Sequence, residues 1–262
     1  MILGLYADDS SDQKQQHIIS AGAIVGWPSA IFEAERKWTT RLAQDGFRYF
    51  RSTECESRTG EFDFVKRRWS LNVGGTIANS VRNDLVKIIR TERGIGGAGL
   101  SMLLPDFEKA IKQSAKARAY WGTDKTIAVY KNLLITLVTL LNQDWPESRC
   151  FPLACTFYGH GNWREAEQGY CWLRDYDPSC KERIGTIDHA DDKMHPPLQM
   201  ADMMAYQSRL RTIDWLKGRR RDEHFNPIFK ELAETHSFYY LGIATKKSLT
   251  SFSTHTRSKR RV

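Results

Sequence analysis

The chain has 262 residues, 41% of them hydrophobic and 27% charged, a balance that suits a folded globular protein and argues against a disordered chain. Lys and Arg number 39 against 31 Asp and Glu, and the resulting formal charge of +8 suits a polyanionic partner. Five cysteines (Cys55, Cys150, Cys155, Cys171, Cys180) form no C-x-x-C pair and leave one over, which argues against a zinc ribbon or a disulfide framework and fits a reducing, cytoplasmic setting.

The N-terminus lacks the basic start and long apolar run of a secretory signal. The most apolar stretch, 127–141, is interrupted by Lys131 and Asn132 and is too short to span a bilayer, so no membrane is expected. Residues 2–8 and 17–26 (HIISAGAIVG) are predicted strands, antiparallel because the polar loop between them is too short for a crossover helix. Trp27-Pro28 then opens a helix in which Ile31, Ala34, Trp38 and Leu42 recur at helical spacing until Gly46. Residues 47–54 (FRYFRSTE) read as a short strand ending at Glu54, and 76–90 as an amphipathic helix. The run 94–104 (GIGGAGLSMLL) has neither the glycine spacing nor the following Lys-Ser or Lys-Thr of a phosphate loop, and reads as a turn leading into a strand.

Val129, Leu133, Leu137 and Leu140 mark a buried helix over 126–142, and 151–158 (FPLACTFY) follows as a core strand. A helix carrying Trp163, Ala166, Tyr170 and Leu173 on one face comes next, then a strand near 184–187 and a helix from Pro196. Two adjacent strands followed by alternating elements predict the α/β class, a mixed sheet with helices on both faces. The chain reads as one domain over 1–262 with helical insertions and a basic C-terminal tail from about 246. The basic clusters 217–221 (KGRRR) and 258–262 (SKRRV) are either solvated surface or nucleic-acid contacts.

The stretch LGLYADDSSD at 3–12 places Asp8 and Asp9 directly after an apolar run. Successive strand side chains alternate, so Tyr6 and Asp8 share one face while Ala7 and Asp9 share the other. Either both acids are solvated turn residues or one faces a site. In the late helix Leu198, Ala201, Asp202 and Ala205 fall at helical spacing, so Asp202 lies on or beside the apolar stripe. A buried carboxylate is costly unless paired, hydrogen-bonded or bound to a cation. Asp202 is therefore either satisfied by the helix dipole and a nearby base or a metal ligand. Gln199, three residues earlier, is either solvated or orients a ligand or substrate phosphate.

YADDSS near the N-terminus, YFRSTE ending at Glu54 and above all LQMADMMAY at 198–206 resemble the family labelled domain of unknown function 3800. The resemblance extends over nearly the whole chain, and its most specific part is the last motif. It implies a ribonuclease H-like fold whose acids, from a first strand, a middle element and a late helix, bind divalent metal. On that basis Asp8, Glu54 and Asp202 are the implied metal ligands and catalytic residues, with Mg²⁺ or Mn²⁺ as cofactor. Asp9 stands where the family has glutamate and Ser11 where it has glycine, changes that alter only the turn; Asp9 is expected to point away. At the end of the strand 153–158, where a further acid is expected, YGHGN supplies His160, either an exposed loop residue or a ligand or general base. The segment IDHADDKMH offers Asp188, Asp191 and Asp192 with His189 and His195; Asp188 at the strand end is the candidate, and the spacing fits no zinc motif.

Phosphodiester cleavage needs a nucleophilic water, stabilised phosphoryl charge and help for the leaving oxygen, which a pair of Mg²⁺ ions roughly 4 Å apart supplies. Carboxylates suit such hard cations, which complete their shells with water and substrate phosphate. The expectation is a Mg²⁺- or Mn²⁺-dependent nuclease or related phosphodiester hydrolase, with Gln199, Arg219, Arg220 and Arg221 on the nucleic acid. The alternative is an inactive nucleic-acid- or protein-binding module on the same fold, using the basic surface with Tyr49, Trp69 and Trp121. Convergence of Asp8, Glu54 and Asp202 separates the two.

Overall fold

The computed structural model describes residues 2–11, 17–68, 71–159, 162–219, 227–233 and 239–255. In chain order the elements are β1 (Leu3–Ser11), β2 (Ile18–Gly26), α1 (Pro28–Gln44), α2 (Ser52–Ser57), α3 (Asp63–Arg68), α4 (Leu71–Thr91), β3 (Ile95–Leu103), α5 (Leu104–Gln113), α6 (Ala115–Trp121) and α7 (Lys125–Asp144). There follow β4 (Leu153–Tyr158), α8 (Trp163–Tyr176), β5 (Ile184–Ala190), α9 (Pro196–Leu216), α10 (Pro227–Ala233), β6 (Tyr239–Ala244) and α11 (Lys246–His255). The strands form one sheet in the order β5-β4-β1-β2-β3-β6. β1, β2 and β3 are successive antiparallel neighbours, whereas β4 and then β5 lie parallel beyond the other edge of β1, and β6 is parallel to β3.

Strand alternation divides the apolar residues between two cores. Leu3, Leu5 and Ala7 of β1 join Ala21 and Ala23 of β2 and Cys155 and Phe157 of β4 beneath α7 and α8, whose Val129, Leu133, Leu137 and Tyr170 are buried with them. The opposite face carries α9, where Met200, Met203 and Met204 pack with Trp38 of α1 and Leu85 and Val86 of α4. Every residue of α9 from Pro196 to Ser208 is buried, which explains why its sequence shows no clean polar side.

The strands beneath α9 present small residues. Ser20 pairs with Ser101 and Gly22 with Gly99, and the two serine hydroxyls bond each other at 2.6 Å. The glycine-rich run expected to lead into a strand is therefore β3 itself, part of the floor on which α9 lies. A Cβ on Gly22 would stand 2.2 Å from the amide nitrogen of Ala205 and 2.5 Å from the carbonyl oxygen of Ala201, so only glycine permits so close an approach. Gly22 is also the register partner of Asp8. The contact that seats α9 on β2 thus brings Asp202 up to the first-strand acid.

Two expectations are corrected. Residues 47–54 are not a strand: 47–51 is irregular and α2 begins at Ser52. Phe50 is buried edge-on between Trp38 and Phe62, and the side chain of Gln199 takes its backbone N–H in place of a neighbouring strand. Residues 246–255, read as the start of a tail, form α11 against α5 and α6, where the carbonyl of buried Leu249 accepts the Trp121 indole N–H at 2.9 Å. Among the described residues no helix is long and apolar enough to cross a membrane.

Candidate active site

A cavity of about 270 Å³ opens where β1 and β4 end. Four carboxylates line it: Asp8 and Asp9 from β1, Asp192 from the turn before α9, and Asp202 from the second turn of α9. Asp8 and Asp9 project to opposite faces of the strand, and the cavity wraps the end of the sheet so that both reach it. Asp8 Oδ1 accepts the Asp9 backbone N–H at 2.7 Å, and Asp202 Oδ2 accepts that of Ser52 at 2.7 Å. Neither forms an ion pair with a Lys or Arg among the described residues.

The other two acids are held by the protein. Asp9 accepts the Tyr130 hydroxyl at 3.0 Å and the Asn162 side-chain N–H at 3.2 Å. Asp192 takes a two-pronged contact from Arg51, Nε at 2.6 Å and Nη2 at 2.9 Å, and the same guanidinium donates to the Tyr158 hydroxyl. Gln199 fixes this arrangement from beneath: its Oε1 accepts the Trp38 indole N–H at 2.8 Å and the Phe50 N–H at 2.9 Å, while its Nε2 donates to the Asp192 carbonyl at 2.7 Å. One buried amide thereby ties both Asp192 and the segment carrying Arg51 to α9.

Burial and crowding set the electrostatics. Burial first, then the charge of Asp202, push the Asp8 carboxyl well above the usual range. Asp202 is pushed up to about 6, chiefly by burial, against the pull of the Ser52 N–H. Asp9 and Asp192 are also raised by burial, opposed respectively by Tyr130 and Asn162 and by Arg51.

Of the sequence candidates, Asp8 and Asp202 meet in the cavity. Asp9, expected to point away, lines it as well. Glu54 does not: its Oε2 accepts the Glu61 backbone N–H at 2.8 Å, because the left-handed Arg58 and the glycine at 60 turn the chain back over α2. Asp188 is exposed on β5, two residues short of the strand's last pair, and the acid that lines the cavity from this segment is Asp192. Gln199 is buried and its amide bonds Trp38, Phe50 and Asp192, so it serves as a clamp within the protein. Arg219 is exposed beyond the far end of α9 and pairs with Asp214 at 3.3 Å. Tyr49 and Trp121 are buried, which removes them as stacking surfaces. His160, Trp69, Arg220 and Arg221 lie outside the described residues.

Sequence reasoning missed the roles of Arg51 and Asp192. Asp192 was visible as one acid among three in IDHADDKMH, but it sits in a turn where no periodicity distinguishes it from its neighbours. Among the described residues, no three His, Cys, Asp or Glu side chains are arranged to hold a metal ion. The donor chemistry nevertheless fits a hard divalent cation at the pair Asp8 and Asp202, since Mg²⁺ is commonly held by one or two carboxylates with water and substrate phosphate.

No family model matches the chain, and no curated protein matches it. Among solved structures it is similar to a mutant of Bst-RNase HIII, at 14% identity over 99% of this chain and 71% of that one, with a TM-score of 0.36. The strand order, with β1 between antiparallel β2 and parallel β4 and helices on both faces, is that of a mixed α/β sheet, as the sequence led one to expect.

Proposed function

We propose that the chain is a divalent-metal-dependent phosphodiester hydrolase acting on nucleic acid, as its resemblance to the domain of unknown function 3800 family implies. The observation that carries this reading is the pair Asp8 and Asp202, both buried on one cavity and neither in an ion pair with a Lys or Arg among the described residues. Asp8 and Asp202 hold Mg²⁺ or Mn²⁺ in this reading. The metal supplies an activated water and neutralises phosphoryl charge.

The remaining groups divide the other tasks. Asp9, fixed by Tyr130 and Asn162, adds negative charge at the metal side of the cavity. Arg51 is held at the cavity wall by Asp192 through Nε and Nη2, and the Nη1 that this leaves free is suited to a phosphate oxygen. Glu54 has no part in the chemistry. Incubation of the purified protein with labelled RNA and DNA in Mg²⁺, Mn²⁺ or EDTA tests the proposal: cleavage is expected only with metal and is expected to vanish in Asp8→Asn.

The absence of a three-ligand cluster among the described residues favours one other reading, a nucleic-acid-binding module that has lost cleavage. The two readings part on metal alone. A hydrolase gains thermal stability from Mn²⁺ through Asp8 and Asp202, whereas a binding module without a metal site does not.

A further inference from the structure

On α9 the positions 202, 206 and 209 lie on one face, so a stripe leads from the cavity acid Asp202 past Tyr206 to Arg209, about 10 Å along the helix. The Arg209 guanidinium lies over the Tyr206 ring, 4.9 Å from its centroid, and its Nε donates to the Ser10 hydroxyl at 3.1 Å. Ser10 lines the cavity, one same-face step beyond Asp8. With the ring and the hydroxyl fixing its plane, Arg209 has Nη1 and Nη2 without an acceptor and no carboxylate partner among the described residues. Its neighbours around the site are different: Arg51 is neutralised by Asp192, Arg48 by Glu61 and Arg82 by Glu56.

A fixed guanidinium with a free pair of N–H groups matches the oxygens of a phosphate. Its bond to Ser10 sets it at the cavity wall, two residues along β1 from Asp8. We propose that Arg209, with Ser10, binds a non-reacting backbone phosphate of a polynucleotide strand that crosses the cavity, a site that rests on the hydrolase reading and deepens it. The cation also offsets the repulsion that four cavity carboxylates exert on a polyanion. As a site for a second phosphate it favours a polynucleotide, which carries phosphates on both sides of each nucleotide, over a mononucleotide.

The test is an anisotropy titration of labelled single-stranded oligonucleotides in EDTA, where no cleavage is expected, over a series of salt concentrations. Arg209→Gln is expected to weaken binding about tenfold and to reduce the slope of log K against log salt by about 0.7, the value for one lost contact to a single strand. Arg209→Lys, which keeps the charge, should keep the slope. An uncharged methylphosphonate linkage moved along the oligonucleotide should cost wild type affinity at one position and cost Arg209→Gln nothing there. Melting curves confirm that the variants fold, and if Arg209→Gln does not, the linkage scan on wild type and Arg209→Lys decides. Unchanged affinity and slope in Arg209→Gln overturn the site while leaving the hydrolase reading intact, provided that wild type binds and cleaves. Equal, Arg209-dependent competition by a mononucleotide also overturns it in favour of a terminal-phosphate site. Wild type that neither binds nor cleaves any oligonucleotide overturns both.

Discussion

The two faces of the sheet treat buried charge in opposite ways. On the α7 face Lys131 is 2% exposed and the protein supplies its partners: the Tyr120 carbonyl accepts its N–H, and the Trp172 ring centroid lies 3.2 Å from Nζ. On the α9 face Asp8 and Asp202 are 5% and 8% exposed, and each receives a backbone N–H but no ion pair among the described residues. The first is a charge that the fold has closed around. The second is a pair of charges left open to a cavity, where a cation from outside can reach them. Buried acids in that state oppose folding, and they recur where catalysis needs them.

The largest expected effect separates the open acids from one that the protein has satisfied. Asp8→Asn and Asp202→Asn should each lower metal-dependent cleavage at least about 100-fold, the scale of removing a group that acts on transition-state charge. Glu54→Gln, whose carboxylate caps the Glu61 amide, should stay within a few-fold of wild type. Equal losses in all three variants would mean that Glu54 reaches the reaction and that the contrast between open and satisfied acids is false. Gly22→Ala should come next. Its Cβ would meet the backbone of α9 at Ala205 and Ala201, so the helix must move, at a cost of about 3 kcal/mol. Urea unfolding measures that loss, and cleavage by the folded fraction shows whether displacing α9 also separates Asp202 from Asp8.

A smaller effect distinguishes metal from mere crowding. In EDTA the raised carboxyls bind protons more tightly in the folded chain than in the unfolded one, so stability should fall as pH rises from about 4 to about 6. Asp202→Asn removes one charge and should melt at or above wild type in EDTA at pH 7. Adding Mn²⁺ at a hundredfold excess over its dissociation constant should stabilise wild type by about 2.7 kcal/mol and the variant by little. A variant that melts well below wild type in EDTA, with no effect of metal on either, would show Asp202 to be satisfied by the Ser52 amide alone.

What the sequence made legible follows from periodicity. α1, α4, α7, α8 and α9 announced themselves through 3.6-residue spacing, and Asp8 and Asp202 through their places at the end of a strand and on a buried helix stripe. The strand expected over 47–54, ending at Glu54, is not formed. The Phe50 backbone N–H is captured instead by the Gln199 side chain, a contact 149 residues away in sequence that no local pattern encodes. Asp192 and Arg51 were hidden for the same reason, since their pairing spans 141 residues. Arg209 needed the structure as well, because its open guanidinium stands out only against Arg48, Arg51 and Arg82, each paired with an acid.

The last and smallest prediction tests the closed side of the comparison. Burial holds the Lys131 amine down to about 7, against about 10.4 in an unfolded chain, although Asp177 pulls the other way. Between those values the unfolded chain binds a proton that the folded chain does not, so wild-type stability should rise with pH in that window. The rise should be of the order of 2 kcal/mol between pH 7 and 10. Lys131→Met keeps the stem's packing against Trp172 without the amine, so it should be the more stable protein at pH 7, with the gap closing towards pH 10. Tyr120 and Cys180, the other titrating groups near Asp177, are raised by burial in both proteins and cancel in the difference. Urea unfolding of the two at pH 7 and 9.5 gives the answer. If Lys131→Met is instead less stable by the same amount at both values, the amine is a charged, fully paired group. The α7 face would then hold an ion pair with Asp177, and the contrast with Asp8 and Asp202 would rest on partnership alone and not on an amine free to lose its proton.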